Sequence, residues 1–318
     1  MILFIKLQPK KCKLCLFNFV NDVPLSYHQL NQVPKQVMEE TKLSFEWCGL
    51  IWIPKLNKFD FPTFYFCELM NLYLVLRGNE ISVTNSLQKF YMGNNYEAFS
   101  YTQVVEAFEK MNDLLPFNIY AAAVKKIAVG TVIQEDADPI LNTWISYSNK
   151  KAFPMLSRNK MYGLKYFLTE YDIKGYNKTT EVKHHNNINL NQQYFRFEVE
   201  VKRINNLNRG KNKIGIYTVQ DLINPIKYQK LTHYLIDKYR KIEKKPIINL
   251  NETSLKEKRL MACFKDIDVL NSIKKQHPDS YKKDRREYNH LTNKLNDNTF
   301  QNQIINKLKQ QIQFSINN

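Results

Sequence analysis

The segment YFRFEVEVKR at 194–203 constrains the fold more than any other stretch of the chain. Phe195, Phe197, Val199 and Val201 alternate in it with Arg196, Glu198, Glu200 and Lys202. Successive side chains of a strand point to opposite faces, so the apolar set occupies one face of a sheet and the charged set the other. The apolar face must be covered by a second layer. The charged face is either a solvated surface or the wall of a site.

A partner lies just upstream. LKYFLTEYDIKGYNK, residues 164–178, reads as a strand over 164–173 that carries Tyr171 beside Asp172 at its end. A tyrosine next to a carboxylate, with Glu198 and Glu200 on a nearby strand, suits a nucleophile beside a divalent metal. Magnesium or manganese takes hard oxygen ligands and keeps waters, so two or three carboxylates suffice. Such an ion neutralises charge on a phosphoryl group and positions it for in-line attack, and tyrosine is a known covalent nucleophile. A strand regular through residue 172 would point Tyr171 and Asp172 to opposite faces. The two can meet only if the strand ends or bulges, for which Ile173-Lys174-Gly175 is the expected place.

Elsewhere the pattern is mixed. A short strand is expected near Ile2–Leu7 and a helix near Gln32–Thr41. SFEWCGLIWIP, FPTFYFCELMNLYLVLR and EISVTNSLQKFY are aromatic and branched enough for strands, with turns at Arg77-Gly78-Asn79 and Gly93-Asn94-Asn95. Val104, Val105, Phe108, Met111 and Leu115 mark a helix capped by Ser100 or Thr102, and Ile119–Ile133 reads as a buried strand. After residue 216 the chain turns helical, with Pro225 near a helix start and a break at His277-Pro278. The expected fold is therefore α+β: a central, mostly antiparallel sheet with helices packed on one face, then a basic helical region. The expected division is an N-terminal segment 1–43, an α+β catalytic domain 44–215 and a basic helical region 216–318.

Charge points to the partner. The 318 residues carry a net charge of +17, and residues 201–318 hold 25 Lys and Arg against 11 Asp and Glu. Basic surface of this kind favours a polyanion, since each neutralised phosphate releases counterions. Lys238, Arg240, Lys282, Lys283, Arg285 and Arg286 sit beside tyrosines in two basic segments and are the expected DNA contacts, with Lys174 and Arg196 nearer the strands. Each basic segment read alone is equally a solvated helix face.

Other chemistries find less support. Five cysteines form no even-numbered framework, which suggests reduced thiols. Cys12 and Cys15 make a CxxC without a second knuckle at zinc-finger spacing. His184-His185 reads as part of a loop. No Gly-rich phosphate loop and no nucleophile elbow occurs, and no apolar run approaches the roughly 18 residues of a membrane span.

The order of several segments resembles replication initiators of filamentous phages and small rolling-circle plasmids. The segments are SLQKFYMGNNYEAFS (86–100), KKIAVGTVI (125–133), EYDIKGYNK (170–178), FRFEVEVK (195–202), IYTVQDLINPIKYQKL (216–231) and NSIKKQHPDSYKKDRREYNHLTNKL (271–295). The resemblance implies a metal-dependent endonuclease and strand transferase, acting in a bacterial host's cytoplasm on an origin in single-stranded or hairpin form. Tyr171 would nick one strand, keep the 5′-phosphate and free a 3′-hydroxyl primer. Asp172 and Glu198, with Glu200 as a further candidate, would hold Mg2+ or Mn2+. Host replication proteins and a second copy of the chain are the implied partners. Two positions depart from the pattern. Lys174 stands one place later than the usual lysine, and Ala128 stands where an acidic ligand is expected, with Glu200, Glu135 and Glu170 as substitutes. Loss of that ligand motivates the alternative of a non-cleaving DNA-binding protein on the same scaffold.

Overall fold

The computed structural model describes residues 2–8, 44–47, 49–77, 80–115, 117–210, 213–245, 253–264, 266–295 and 299–317. The strands in chain order are β1 (Ile2–Gln8), β2 (Phe45–Trp47), β3 (Leu50–Leu56), β4 (Pro62–Leu69), β5 (Leu72–Arg77), β6 (Glu80–Thr84), β7 (Ala123–Ile133), β8 (Trp144–Tyr147), β9 (Lys150–Lys151), β10 (Phe153–Ser157), β11 (Lys160–Phe167), β12 (Tyr171–Asn177), β13 (Phe195–Val201) and β14 (Glu243–Lys244). Eleven of them form one sheet in the order β10-β11-β12-β13-β7-β1-β6-β5-β4-β3-β2, every recorded pairing antiparallel. β14, β8 and β9 make a small second sheet. The longer helices are α1 (Leu87–Met92), α2 (Tyr101–Leu114), α3 (Lys178–Asn186), α4 (Pro225–Arg240), α5 (Leu255–Cys263), α6 (Ile267–Gln276), α7 (Pro278–Leu295) and α8 (Thr299–Asn317). None of the described helices is long and apolar enough to cross a membrane.

The α+β architecture with a mostly antiparallel sheet matches the expectation, but the helices are not confined to one face, since α3 lies over one end of the other. Phe195, Phe197, Val199 and Val201 of β13 pair with Ile133, Thr131, Val129 and Ile127 of β7, so these residues share one face of the sheet. α4 and α8 cover it. Tyr239 of α4 meets Phe197 edge-on, with ring centroids 5.0 Å apart, and Trp144 packs edge-on to Phe195 and Phe197. Asn224 caps α4 by accepting from the N–H groups of Ile226 and Lys227, with Pro225 in the first turn, where its missing N–H costs nothing. Close packing on this face requires a glycine in β12: a Cβ at Gly175 would stand 2.3 Å from the Trp144 ring.

Several local expectations change. The stretch 164–173 is not one strand but a hairpin, with β11 ending at Phe167 and β12 beginning at Tyr171. Asp172 fastens its turn, accepting from the Leu168 N–H at 3.3 Å. The strand expected to run through Tyr91 stops at Thr84, because Ser86 accepts from the Lys89 N–H and starts α1. Ser100, not Thr102, caps α2, in a capping box with Gln103. His184 and His185 lie in the last turn of α3 rather than in a loop, since Asn177 caps that helix through the Thr180 N–H. β1 lies between β6 and β7, so part of the expected N-terminal segment belongs to the main sheet. The helix expected at Gln32–Thr41, the CxxC at Cys12 and Cys15, and residues 78–79 of the first turn lie outside the described residues.

Candidate functional site: the charged face of β12 and β13

β12 and β13 pair without a break from Tyr171–Val201 to Asn177–Phe195. Asp172 faces Glu200, Lys174 faces Glu198 and Tyr176 faces Arg196, so these six side chains share one face. Lys165 of β11 faces Lys174 and joins them. The sheet interleaves acids with bases. Asp172 touches Lys165 at 3.0 Å and Lys202 at 2.7 Å, and Glu200 touches Lys174 at 2.7 Å and Lys165 at 4.0 Å. Glu198 touches Lys174 at 3.3 Å and Arg196 at 2.7 Å. The result is a ladder of alternating charge across three strands.

This face is not the solvated surface that alternation alone allows. Arg196 is fully buried, Glu198 is 3% exposed and Asp172 4%. α3 and the turn after α1 close over one end. There the Lys178 ammonium donates to Asn95 Oδ1 at 2.9 Å and pairs with Glu181, and Arg196 donates to the Asn95 carbonyl at 3.4 Å. Burial alone would raise the carboxyl of Glu198, but the charges of Arg196 and Lys174 outweigh it and hold the group below its usual value. Burial acts in the same direction on Asp172, where Lys202 and Lys165 outweigh it and hold the carboxyl low. Burial, with Arg196 close by, pushes Lys178 down to about 8.

Beside the ladder a cleft of about 370 Å³ is lined by Thr84, Asn85, Asn95, Lys126, Ala128, Lys174, Tyr176, Glu181, Glu198 and Glu200. Tyr176, which sequence reasoning passed over, is the tyrosine of this cleft. It sits where Gly163 of β11 leaves room, because a Cβ there would lie 2.4 Å from the Tyr176 Cβ. Burial raises its phenol well above the ordinary value, opposed by the Arg196 guanidinium 5.7 Å from the ring centroid. The period of β12 was the available signal, since residue 176 shares parity with 172 and 174.

Tyr171 is on the other face. With β12 regular from its first residue, the side chain turns toward the helices and away from Asp172, Glu198 and Glu200. Its hydroxyl lies 3.2 Å from that of Tyr147, and the Lys238 ammonium stands 3.7 Å from its ring centre. No bulge brings Tyr171 and Asp172 together.

The remaining expected residues disperse. Arg196 is sealed inside the protein and so is not placed to touch DNA. Arg285 pairs with Glu243 at 2.8 Å and lies over Phe264 and Tyr288, which makes it a packing residue. Arg240, Lys282, Lys283 and Arg286 are exposed, and Lys174 and Lys238 are half-buried. Of the three substitutes for Ala128, Glu200 stands on the ladder, whereas Glu135 pairs with Lys307 and Glu170 with Arg209 and Asn206, away from it. Ala128 itself faces Glu200 across β7 and β13.

The donor set does not fit Mg2+ or Mn2+ as it stands. A divalent ion needs several converging oxygens. Here the ammonium groups of Lys165 and Lys174 stand between the carboxylates, and the position that would add an oxygen is Ala128. Among the described residues no group of three or more His, Cys, Asp or Glu is placed to hold a metal.

No protein-family model and no curated protein sequence matches the chain. Among solved structures it is similar, at 9% sequence identity and a TM-score of 0.41, to a rolling circle replication initiator protein from Geobacillus stearothermophilus, over 81% of this chain and 90% of that chain.

Proposed function

We propose that this chain is a DNA strand transferase of the replication-initiator kind, which opens one strand at an origin and retains the 5′-phosphate on a tyrosine. The observation that supports this reading is the cleft on the charged face, where a tyrosine, carboxylates and an ammonium line one cavity. A tyrosine oxygen bonds to phosphorus while the bond from phosphorus to the 3′-oxygen breaks. The leaving oxygen takes up a proton, and the phenol has lost one. The phosphodiester bond is exchanged rather than hydrolysed, so the strand can be rejoined.

The nucleophile in this proposal is Tyr176, not Tyr171, because only Tyr176 shares its face with the carboxylates. Burial keeps the Tyr176 phenol protonated at rest and Arg196 offsets only part of that shift, so the proton leaves as the phosphate is attacked. Lys174 and the exposed Lys126 line the same cleft and meet the charge of the incoming phosphate. Glu198 has a narrower part, holding Lys174 and Arg196 in place.

A second reading is supported by the ladder itself. Every carboxylate of the ladder is already neutralised by a lysine or arginine, as in a structural ion-pair network, so a non-cleaving DNA-binding protein on this scaffold is the alternative. A nicking assay on supercoiled DNA carrying the element's own origin separates them, run with magnesium, with manganese and with chelator. Wild type and Tyr171→Phe are expected to open the circle and Tyr176→Phe to leave it closed. Loss in Tyr171→Phe alone would move the chemistry to the helix face. Binding without nicking by all three would establish the second reading.

A further inference from the structure

A second charged surface lies on the opposite face of the sheet from the ladder. α4 buries Tyr228, Leu231, Thr232, Leu235, Ile236 and Tyr239 against the core, which leaves another side of the helix free. At three- and four-residue spacing that side carries Lys230, His233, Tyr234, Lys238 and Lys241. Residues 205–210 and 213–214 lie opposite, with Arg209 and Lys213 exposed. Hydrogen bonds hold them in place. Asn208 donates to the Ile216 carbonyl at 2.5 Å and accepts from the Ile216 N–H at 2.7 Å, and the Ile214 N–H donates to the Leu207 carbonyl at 2.7 Å. Tyr234 ties the two walls together through Asn206 at 2.9 Å. Between them runs a groove of about 600 Å³ with Leu207 and Ile214 at its base.

Asp237 is the one acid among the residues lining this groove, and it lies 3.9 Å from Arg240. Lys238 is drawn down onto the rings of Tyr171 and Tyr234, and Arg209 pairs with Glu170. Lys213, Lys230 and Lys241 are exposed, and no ion pair engages them among the described residues. From Lys230 to Lys241 the helix rises about 16 Å, which spans about five phosphates of one strand in duplex geometry.

We infer that this groove is a binding track for the phosphate backbone of a nucleic-acid strand, separate from the cleft on the charged face and independent of whether that cleft cuts. Opposed rows of cations over an apolar base suit a continuous polyanion. The rings of Tyr171 and Tyr234 are partly covered by Lys238, so the contact is to backbone rather than to stacked bases and carries little sequence preference.

The test is fluorescence anisotropy with a labelled 20-mer oligothymidylate over a series of salt concentrations. It compares wild type, the triple variant Lys213→Glu, Lys230→Glu, Lys241→Glu, and the charge-matched triple variant Lys55→Glu, Lys58→Glu, Arg77→Glu near the β2 end of the sheet, where all three residues are exposed. The groove variant is expected to bind at least about tenfold more weakly, with a salt slope shallower by about 2, while the sheet-end variant changes little. The triple Lys→Arg variant at 213, 230 and 241 should bind like wild type, which separates loss of charge from loss of fold. The readout is equilibrium binding to an oligonucleotide that carries no origin, measured with chelator present, which keeps this inference distinct from the nicking reaction. Equal weakening by both charge reversals would overturn the inference, as would tighter binding of polyglutamate than of the oligonucleotide.

Discussion

Arg196 and Glu198 are the residues whose roles the structure changes most. Read as strand residues on a charged face they suit DNA and metal; buried together they hold each other. Removing one partner of a buried ion pair strands the other, at about 3–5 kcal/mol. Arg196→Met is therefore expected to lower the urea midpoint sharply, and Arg196→Met with Glu198→Leu to recover much of the loss. The same pairing sets the response to acid. Glu198 and Asp172 are held below 4.5 and 3.8 respectively, so their stabilisation is complete above those values and is lost as pH falls through the lower folded-state values. Stability measured from pH 6 to pH 3 should fall less steeply in Glu198→Gln than in wild type, from a lower start. Ala128 gives a third expectation. Ala128→Asp combined with Lys174→Ala adds one carboxylate and removes the ammonium that stands between Glu198 and Glu200. That variant should gain Mn2+ binding by calorimetry relative to wild type, and no gain would show that more than one ligand is missing. At this scale the sequence was legible in type but not in placement. The parity of β12 already set Tyr171 apart from Asp172, and only the unbroken pairing of β12 with β13 showed that no bulge rescues the pair.

Among elements, alternating strands were the easiest to read, because a period of two with apolar residues on one side matches a half-covered strand and little else. β13 is the clearest case. Helix starts were harder, since one polar side chain decides them. Ser86 turns an apolar run into α1, and Asn177 turns an apparent loop into α3, which then carries Lys178 and Glu181 to the edge of the cleft. Asn177→Ala should cost about 1 kcal/mol through the lost cap. It should also weaken the Lys178–Asn95 contact, seen as faster amide exchange in residues 178–186. Gly175 is the matching test of layer packing. Gly175→Ala drives a methyl into the Trp144 ring and should destabilise by about 1–3 kcal/mol in denaturant titration.

For the whole molecule, the sheet is one layer only because β1 joins two halves. It pairs with β7 on one side and β6 on the other. Deleting residues 1–8 would expose the edge of the eleven-residue β7 and that of the shorter β6, and open edges are templates for aggregation, so the truncated chain is expected to aggregate or to unfold in two steps rather than one. The charge asymmetry along the sequence foretold basic surfaces on the helical part, but not that a groove would form between α4 and the segment after β13. Those walls lie close in the chain yet gain their shape from Asn208 and Asn206, whose bonds no composition reveals. The two faces of the sheet thus carry different equipment: the ladder and its cleft on one, the cationic groove on the other.

Tyr176, the tyrosine of the cleft, is the residue proposed to form the covalent link to DNA. One experiment tests it: the adduct is trapped on an oligonucleotide interrupted a few nucleotides 5′ of the nick site, so that the short piece bearing the freed 3′-hydroxyl diffuses away, and the modified peptide is mapped by mass spectrometry. The expected product is a 5′-phosphotyrosine at Tyr176. An adduct at Tyr171 would contradict it, and absence of any adduct from protein that binds the oligonucleotide would leave a DNA-binding protein without strand-transfer chemistry.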